Sequence, residues 1–245
     1  MVTRAPPPLR ERMRPGMATH AHVAIDGPAG SGKTTVARAL ARRLDMLYLD
    51  TGAMYRAVAL GALNARVDPT DEEAVLAVIA GNPIGVIVDS ASDRGFIVFA
   101  GARALGDELY GNGVSRIVSI VAAHPAIRHA LVERQRAIAS DGPVVMAGRD
   151  IGTVVLPEAP HKIYLTATVD ERVARRLLEL AERGVTIGRD ELRREIEERD
   201  RIDASREVAP LRPAPGALEI DSTGTSVDDV VSRIACLVRP HWGAA

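Results

Sequence analysis

Eight consecutive residues carry the sharpest chemical signal in the chain. Gly27-Pro28-Ala29-Gly30-Ser31-Gly32-Lys33-Thr34, followed by Thr35, fits G-x-x-x-x-G-K-[ST] at every position. Glycines there let backbone N–H groups converge on phosphate oxygens with no Cβ in the way. A helix starting at the loop adds its positive N-terminal end. Lys33 supplies a point charge for the β- and γ-phosphates, and the Thr34 hydroxyl can ligate Mg²⁺. Lys33 and Lys162 are the only lysines among 31 basic residues. That one of them falls in the required slot argues against a chance Gly-rich turn. The pattern predicts a nucleoside triphosphate site and is silent about the reaction.

Other residues narrow the reaction. With so few lysines, no N-K-x-D guanine-reading motif exists. An apolar run ends in Ala147-Gly148-Arg149-Asp150 rather than in the paired acids that activate water in motor-type ATPases. If that run is a parallel strand, Arg149 lies at the carboxyl edge where ligands bind, and it suits a second phosphate. Another run ends in Asp50-Thr51-Gly52, with Thr51 expected to cap the next helix and Arg56 one turn later. In Glu198–Arg206, the residues Arg199, Asp203 and Arg206 fall at i, i+4 and i+7 of one helix face. Spacing alone favours a solvated ion-pair ladder there. A helix from Asp170 places Val173, Leu177 and Leu180 on one side and Arg172, Arg175, Arg176 and Glu179 on the other. That polar face is expected to meet either solvent or phosphate.

Alternating short strands and amphipathic helices must position these groups. Strands are expected at His22–Asp26, Leu47–Leu49, Val144–Met146, Lys162–Leu165 and Ala217–Ile220. Helices are expected at Thr34–Leu44, Gly52–Leu63, Asp71–Ala80, Val114–Ala139 with a break near Pro125, Asp170–Glu182, Asp190–Ala204 and Val227–Val238. The alternation predicts an α/β fold with a parallel sheet and helices on both faces. Ile84–Val88 and Phe96–Phe99 flank the turn signal Asp93-Arg94-Gly95 and predict a small antiparallel hairpin. Residues 1–19 are Pro- and Arg-rich without an apolar stretch, so a secretory signal is not expected. A disordered extension, or a true start at Met17, is preferred over a presequence, because Pro6-Pro7-Pro8 would break an amphipathic helix.

Composition excludes several classes. The chain has 245 residues, 47% hydrophobic and 26% charged, which is ordinary for a globular protein. A net charge of −1 gives no global pull toward nucleic acid or membrane. Aromatics for base stacking are only 3%. No apolar run approaches the roughly 18 residues of a membrane span. Cys236 is the one cysteine, so no internal disulfide forms. Arginine dominates the basic residues everywhere, so only its placement is informative. A monomer in the cytoplasm is expected, with no nucleic-acid or membrane partner.

Four segments together resemble the bacterial cytidylate kinases: GPAGSGKTT, LDTGAMYRA, GRDIGTVVLPEAPHKIYL and ERDRIDASREVAPL. The resemblance runs from about residue 21 to 238. It implies a nucleoside monophosphate kinase core with a five-stranded parallel sheet at 20–65, 114–169 and 191–245, a nucleotide-binding β insertion at 66–113 and a short lid at 170–190. It implies phosphorylation of CMP and dCMP to CDP and dCDP by ATP with Mg²⁺. By motif position it implies that Ser119, Arg128 and Asp150 read cytosine. Asp203 and Arg199 would hold ribose, and Arg56, Arg149, Arg206 and Thr51 would lie near the acceptor phosphate. Lid candidates for the transferred group are Arg172, Arg175 and Arg176. The family usually carries Glu or Asp just before Gly-Arg-Asp, where this chain has Ala147. A different small-molecule phosphate-loop kinase, of uridylate or shikimate type, is the alternative.

Overall fold

The computed structural model describes residues 22–242 except 90, 91 and 93. The extension expected over 1–19 and the turn residue Asp93 lie outside the described residues. β1(Val23–Asp26), β2(Leu47–Asp50), β6(Val144–Gly148), β7(His161–Thr166) and β8(Leu218–Asp221) form one sheet in the order β2-β6-β1-β7-β8. Every neighbouring pair is parallel. The short apolar runs VAID and VVMAG are buried along their whole lengths, as strands covered on both faces must be.

Register places the chemistry. Asp26 pairs with Gly148 and Tyr164, and Asp50 pairs with Ala147. The phosphate loop, the Gly148-Arg149 turn and the start of the following helix therefore leave the sheet at one level. β1 lies between β6 and β7, so the loop rises from the middle of the carboxyl edge. Gly27 is needed there, because its φ is 149° and a Cβ would sit 2.0 Å from the Leu165 carbonyl oxygen.

α1(Lys33–Leu44) buries Val36, Ala37, Leu40, Ala41 and Leu44 against the sheet. α2(Thr51–Ala65) starts with no intervening loop. Its cap is Asp50 rather than the expected Thr51: the Asp50 carboxylate accepts from Gly52 N at 3.0 Å. Thr51 instead donates its hydroxyl to the Ala147 carbonyl at 3.0 Å and ties α2 to β6. Asp50 has extended dihedrals, the geometry a capping residue requires.

α3(Glu72–Gly81) leads into a separate antiparallel sheet of β3(Ile84–Val88), β4(Phe96–Ala100) and β5(Arg103–Leu105). The expected hairpin thus has a third strand, whose three residues offer no readable alternation. α4(Asn112–Val121) and α5(Pro125–Ala139) replace the single interrupted helix, with Pro125 at the start of the second. α6(Val169–Glu182), α7(Arg189–Ser205) and α8(Val227–Trp242) complete the chain. Val173, Leu180, Leu192 and Ile196 form a small cluster of their own between α6 and α7, apart from the main core. No helix among the described residues is long and apolar enough to cross a membrane.

Asp26 locks the centre of the sheet to a π-helical turn at Ile151–Val155. Its two oxygens accept from Ile151 N and Gly152 N, each at 2.8 Å. Burial pushes its pKa up to about 6, with the Asp150 charge adding to the rise and the two N–H bonds opposing it. The folded state therefore binds this proton more tightly than the unfolded chain. The contribution to stability is full at pH 3 and falls as pH rises from about 4 through about 6, by about 3 kcal/mol. Asp26→Asn removes that dependence. Its stability relative to wild type is expected to improve between pH 4 and 6, as read by denaturant midpoints. A difference that stays constant with pH would contradict this.

Candidate active site

A cavity of about 580 Å³ opens at the carboxyl edge of the sheet. The phosphate loop forms its floor, Phe96 and Tyr110 one wall, and Leu180 and Ile196 of the α6–α7 pair another. Among the described residues, ten cationic side chains line it against three acids, Asp50, Glu179 and Glu195. The net charge of the chain hides this, because the cations are concentrated here. A pocket of this sign focuses anions.

Within the loop, Lys33 is 6% exposed. Its ammonium donates to the Pro28 carbonyl at 2.5 Å and to Ser31 Oγ at 3.3 Å. Burial, and after it the Arg149 guanidinium, push its pKa below the usual lysine value. Gly32 caps α1 with φ 89°, a left-handed conformation that leaves the helix N-terminus open toward the cavity. Thr34 donates its hydroxyl to Asp50 Oδ2 at 2.9 Å.

Cations from several elements face the loop across the cavity. Arg56 on α2 bonds the Leu109 carbonyl at 3.2 Å and Ser115 Oγ at 3.0 Å. Arg149 bonds Asp203 Oδ2 at 2.8 Å. Burial opposes the charge of Arg149, yet the Asp203 carboxylate raises its pKa overall. For Asp203, Arg149 and Arg199 outweigh burial and hold the carboxyl below its usual value. Arg199 is lowered to about 9 by burial and by the neighbouring Arg149 and Arg56 guanidiniums. It stays charged at neutral pH, so cation repulsion is built into the site, and a bound anion would relieve it. The expected solvated ladder of Arg199, Asp203 and Arg206 is not present. Asp203 is buried and pairs with Arg149, while Arg206 lies past the end of α7 with extended dihedrals.

Behind the cavity is a second, buried charge cluster. Arg128 on α5 pairs with Asp150, and Arg206 approaches the same carboxylate at 4.0 Å. Arg128 also lies over the Tyr55 ring, 5.4 Å from its centroid, and donates to the Ala122 carbonyl at 3.0 Å. Ser119 is buried on α4. None of Thr51, Ser119, Arg128, Asp150, Asp203 or Arg206 lines the open cavity; Arg149 and Arg199 do, and Arg149 links the two groups through Asp203. Arg199 Nε and Arg206 Nη2 are buried without a hydrogen-bond partner among the described residues. Buried donors of that kind call for an acceptor.

The three lid candidates separate. Arg172 is buried rather than on an open face: it bonds the Ala29 carbonyl at 3.1 Å, the Ala167 carbonyl at 3.2 Å and Asp200 at 2.6 Å, bracing the phosphate loop from behind. Arg175 lines the cavity with its guanidinium held by Glu171 and Ser222. Arg176 lines it with Glu179 as its one ion partner among the described residues, at 2.6 Å. Sequence reasoning missed Asp50, Arg183 and Tyr110. The guanidiniums of Arg56, Arg94 and Arg183 lie 5.3, 4.9 and 5.5 Å from the Tyr110 ring centroid. They come from three separate stretches of the chain, one on α2, one in the turn before β4 and one just past α6, so no local spacing could have announced them. Asp50 did carry a signal, since Asp is a preferred cap.

A parallel sheet with a phosphate loop at its centre and an arginine-rich cavity above defines a phosphate-loop kinase. A family model described as cytidylate kinase matches residues 23–240. The cytidylate kinase of Geobacillus thermodenitrificans is 48% identical over 221 residues, covering 90% of this chain and 97% of that protein. That of Listeria monocytogenes is 45% identical over 217 residues, covering 89% and 95%. The crystal structure of an uncharacterized protein from Eubacterium ventriosum, 12% identical, superposes with a TM-score of 0.51 over 90% of this chain and 99% of the other, a likeness of fold alone. The chain belongs to the cytidylate kinase family.

Proposed function

We propose that the chain transfers the γ-phosphoryl group of ATP to CMP and dCMP, giving CDP and dCDP. The observation that carries this is the family match over nearly the whole fold. It is supported by the cationic cavity at the phosphate loop and by the buried Arg128–Asp150 pair, which does not line it. A kinase for a different small acceptor is not favoured.

The chemistry asks little of a base. A phosphate monoester has a second pKa near about 6, so CMP is largely a dianion at neutral pH and already nucleophilic. The obstacle is repulsion between two phosphates. Cations that position both groups and match charge developing in flight are the remedy. In this reading Gly27–Thr35 and Lys33 hold the triphosphate. Arg56 and Arg149 hold the acceptor phosphate, with Thr51 and Arg206 behind them. Arg176, free of the bracing that occupies Arg172 and Arg175, neutralises the transferred group. Asp203 and Arg199 hold the ribose.

Base choice follows from Ser119, Arg128 and Asp150. The ion pair presents an acceptor beside a donor, complementary to cytosine's N4 amine and N3, and mismatched to uracil's O4 and N3–H. Magnesium would be held by the Thr34 hydroxyl together with the phosphates. The donor set fits a hard cation, since the oxygens of Thr34 and Asp50 meet at the loop. Bound there, the ion would neutralise phosphate charge. The insertion at 66–113 and the lid at 170–190 act as the closing parts. The separate apolar cluster under α6 and α7 supports independent movement of the lid. The enzyme acts in the cytoplasm as a monomer.

An ADP-release assay with MgATP tests this with CMP, dCMP, UMP, AMP and no acceptor. Turnover confined to CMP and dCMP at subsaturating acceptor is expected. Comparable rates with UMP would overturn the base assignment, and equal rates without acceptor would overturn the kinase assignment.

A further inference from the structure

Among the described residues the cavity is lined by ten cations and three acids, and two of the acids are neutralised locally. Glu179 lies between Arg176 at 2.6 Å and Arg183 at 3.0 Å. Glu195 bonds Arg116 at 3.1 Å. The carboxylates just outside the cavity are also committed. Asp26 accepts from Ile151 N and Gly152 N, Asp150 pairs with Arg128, Asp200 with Arg172 and Asp203 with Arg149. Asp50 differs. It lines the cavity beside the phosphate loop and makes no ion pair among the described residues. One oxygen caps α2 through Gly52 N, and the other accepts the Thr34 hydroxyl proton.

That last bond has a directional consequence. A hydroxyl has one proton and two lone pairs. With its proton given to Asp50, Thr34 must turn its lone pairs elsewhere, where a cation can use them. A small hard cation such as Mg²⁺ takes oxygen ligands, keeps several waters and uses one or two carboxylates with substrate phosphates. The neighbouring strand supplies no second carboxylate at this level, because the residue paired with Asp50 is Ala147.

We propose that Asp50 is the positioning residue for the divalent cation of the nucleotide complex: it orients the Thr34 hydroxyl and, of the acids lining the cavity, supplies the one carboxylate that forms no ion pair with an arginine among the described residues. This rests on the reading of the loop as an ATP site. It extends that reading by assigning the metal's charge partner to the end of β2 rather than to the Ala147-Gly148-Arg149-Asp150 turn.

Asp50→Asn tests the charge while keeping an oxygen for the α2 cap. ATP binding is measured by calorimetry with and without Mg²⁺, and Mn²⁺ binding to the protein–nucleotide complex by water-proton relaxation. Metal-free ATP affinity is expected to hold or improve, while affinity for the metal falls roughly 10–100-fold. A Thr34→Val variant is expected to lose metal affinity as well. Because the two side chains act as one unit, the double variant should lose no more than the worse single variant. Wild-type metal affinity in Asp50→Asn, or fully additive losses in the double variant, would overturn the proposal alone. A wild-type chain that binds no ATP would overturn the underlying reading first. If Asp50→Asn does not fold, Thr34→Val alone decides, and unchanged metal affinity there is equally adverse.

Discussion

Lys33→Met is expected to cut CMP phosphorylation by on the order of 10³-fold or more while leaving the protein folded. The side chain is nearly as long but carries no charge. In the structure the ammonium is buried, with the Pro28 carbonyl and Ser31 hydroxyl as its hydrogen-bond partners. Burial and Arg149 both disfavour its charge. Holding a cation there costs stability, and phosphate charge is what would offset it. Removing the cation should therefore leave the melting temperature unchanged or slightly higher while abolishing most transition-state stabilisation. kcat/KM with CMP, measured beside a melting curve, reads both effects. A rate within tenfold of wild type would remove Lys33 from the mechanism. A large fall in melting temperature would recast it as a structural residue.

The second large effect is on base discrimination. Asp150→Asn keeps one acceptor oxygen and replaces the other with an amine. Uracil's O4 can accept from that amine, while cytosine's N4 loses part of its partner. Unpaired buried polar groups support discrimination of up to about 10⁴-fold, so the CMP-to-UMP ratio of kcat/KM is expected to fall by several orders of magnitude. A stability cost accompanies it. Asp150 is 3% exposed and serves both Arg128 and Arg206, so the variant leaves buried guanidiniums without their counter-charge. Breaking such a pair costs about 3–5 kcal/mol. The ratio must therefore be measured well below the variant's own melting transition. An unchanged ratio in folded protein would show that Asp150 supports the site without reading the base.

The architecture was legible because two short-range signals agree. Apolar runs of strand length alternate with helical spacing, and a full phosphate-loop motif lies between the first pair. Five parallel strands with the motif at the carboxyl edge follow from that alone. β5 escaped because three residues, Arg103–Leu105, are too few for a pattern. The π-helical turn after Asp150 escaped because its reason is a carboxylate 125 residues away, Asp26, which binds its first two N–H groups.

Site residues were legible as types and less so as environments. Arg199, Asp203 and Arg206 have the spacing of a solvated ladder, and only tertiary packing shows Asp203 turned inward to Arg149. Arg172, Arg175 and Arg176 are equivalent in sequence. The fold directs the first behind the phosphate loop and leaves the last facing the cavity. Thr51 has the residue type of a good cap, but β2 runs one residue further than its apolar run, and Asp50 takes the position.

In this enzyme the phosphoryl group is expected to move directly from ATP to a cytidine monophosphate. ATP labelled with ³²P in the γ-phosphate, incubated with the enzyme, Mg²⁺ and CMP, tests it in one measurement by separation of the labelled products. The label is expected in CDP, with little released as inorganic phosphate. Label appearing mainly as inorganic phosphate, or remaining in ATP while CMP is bound, would contradict it.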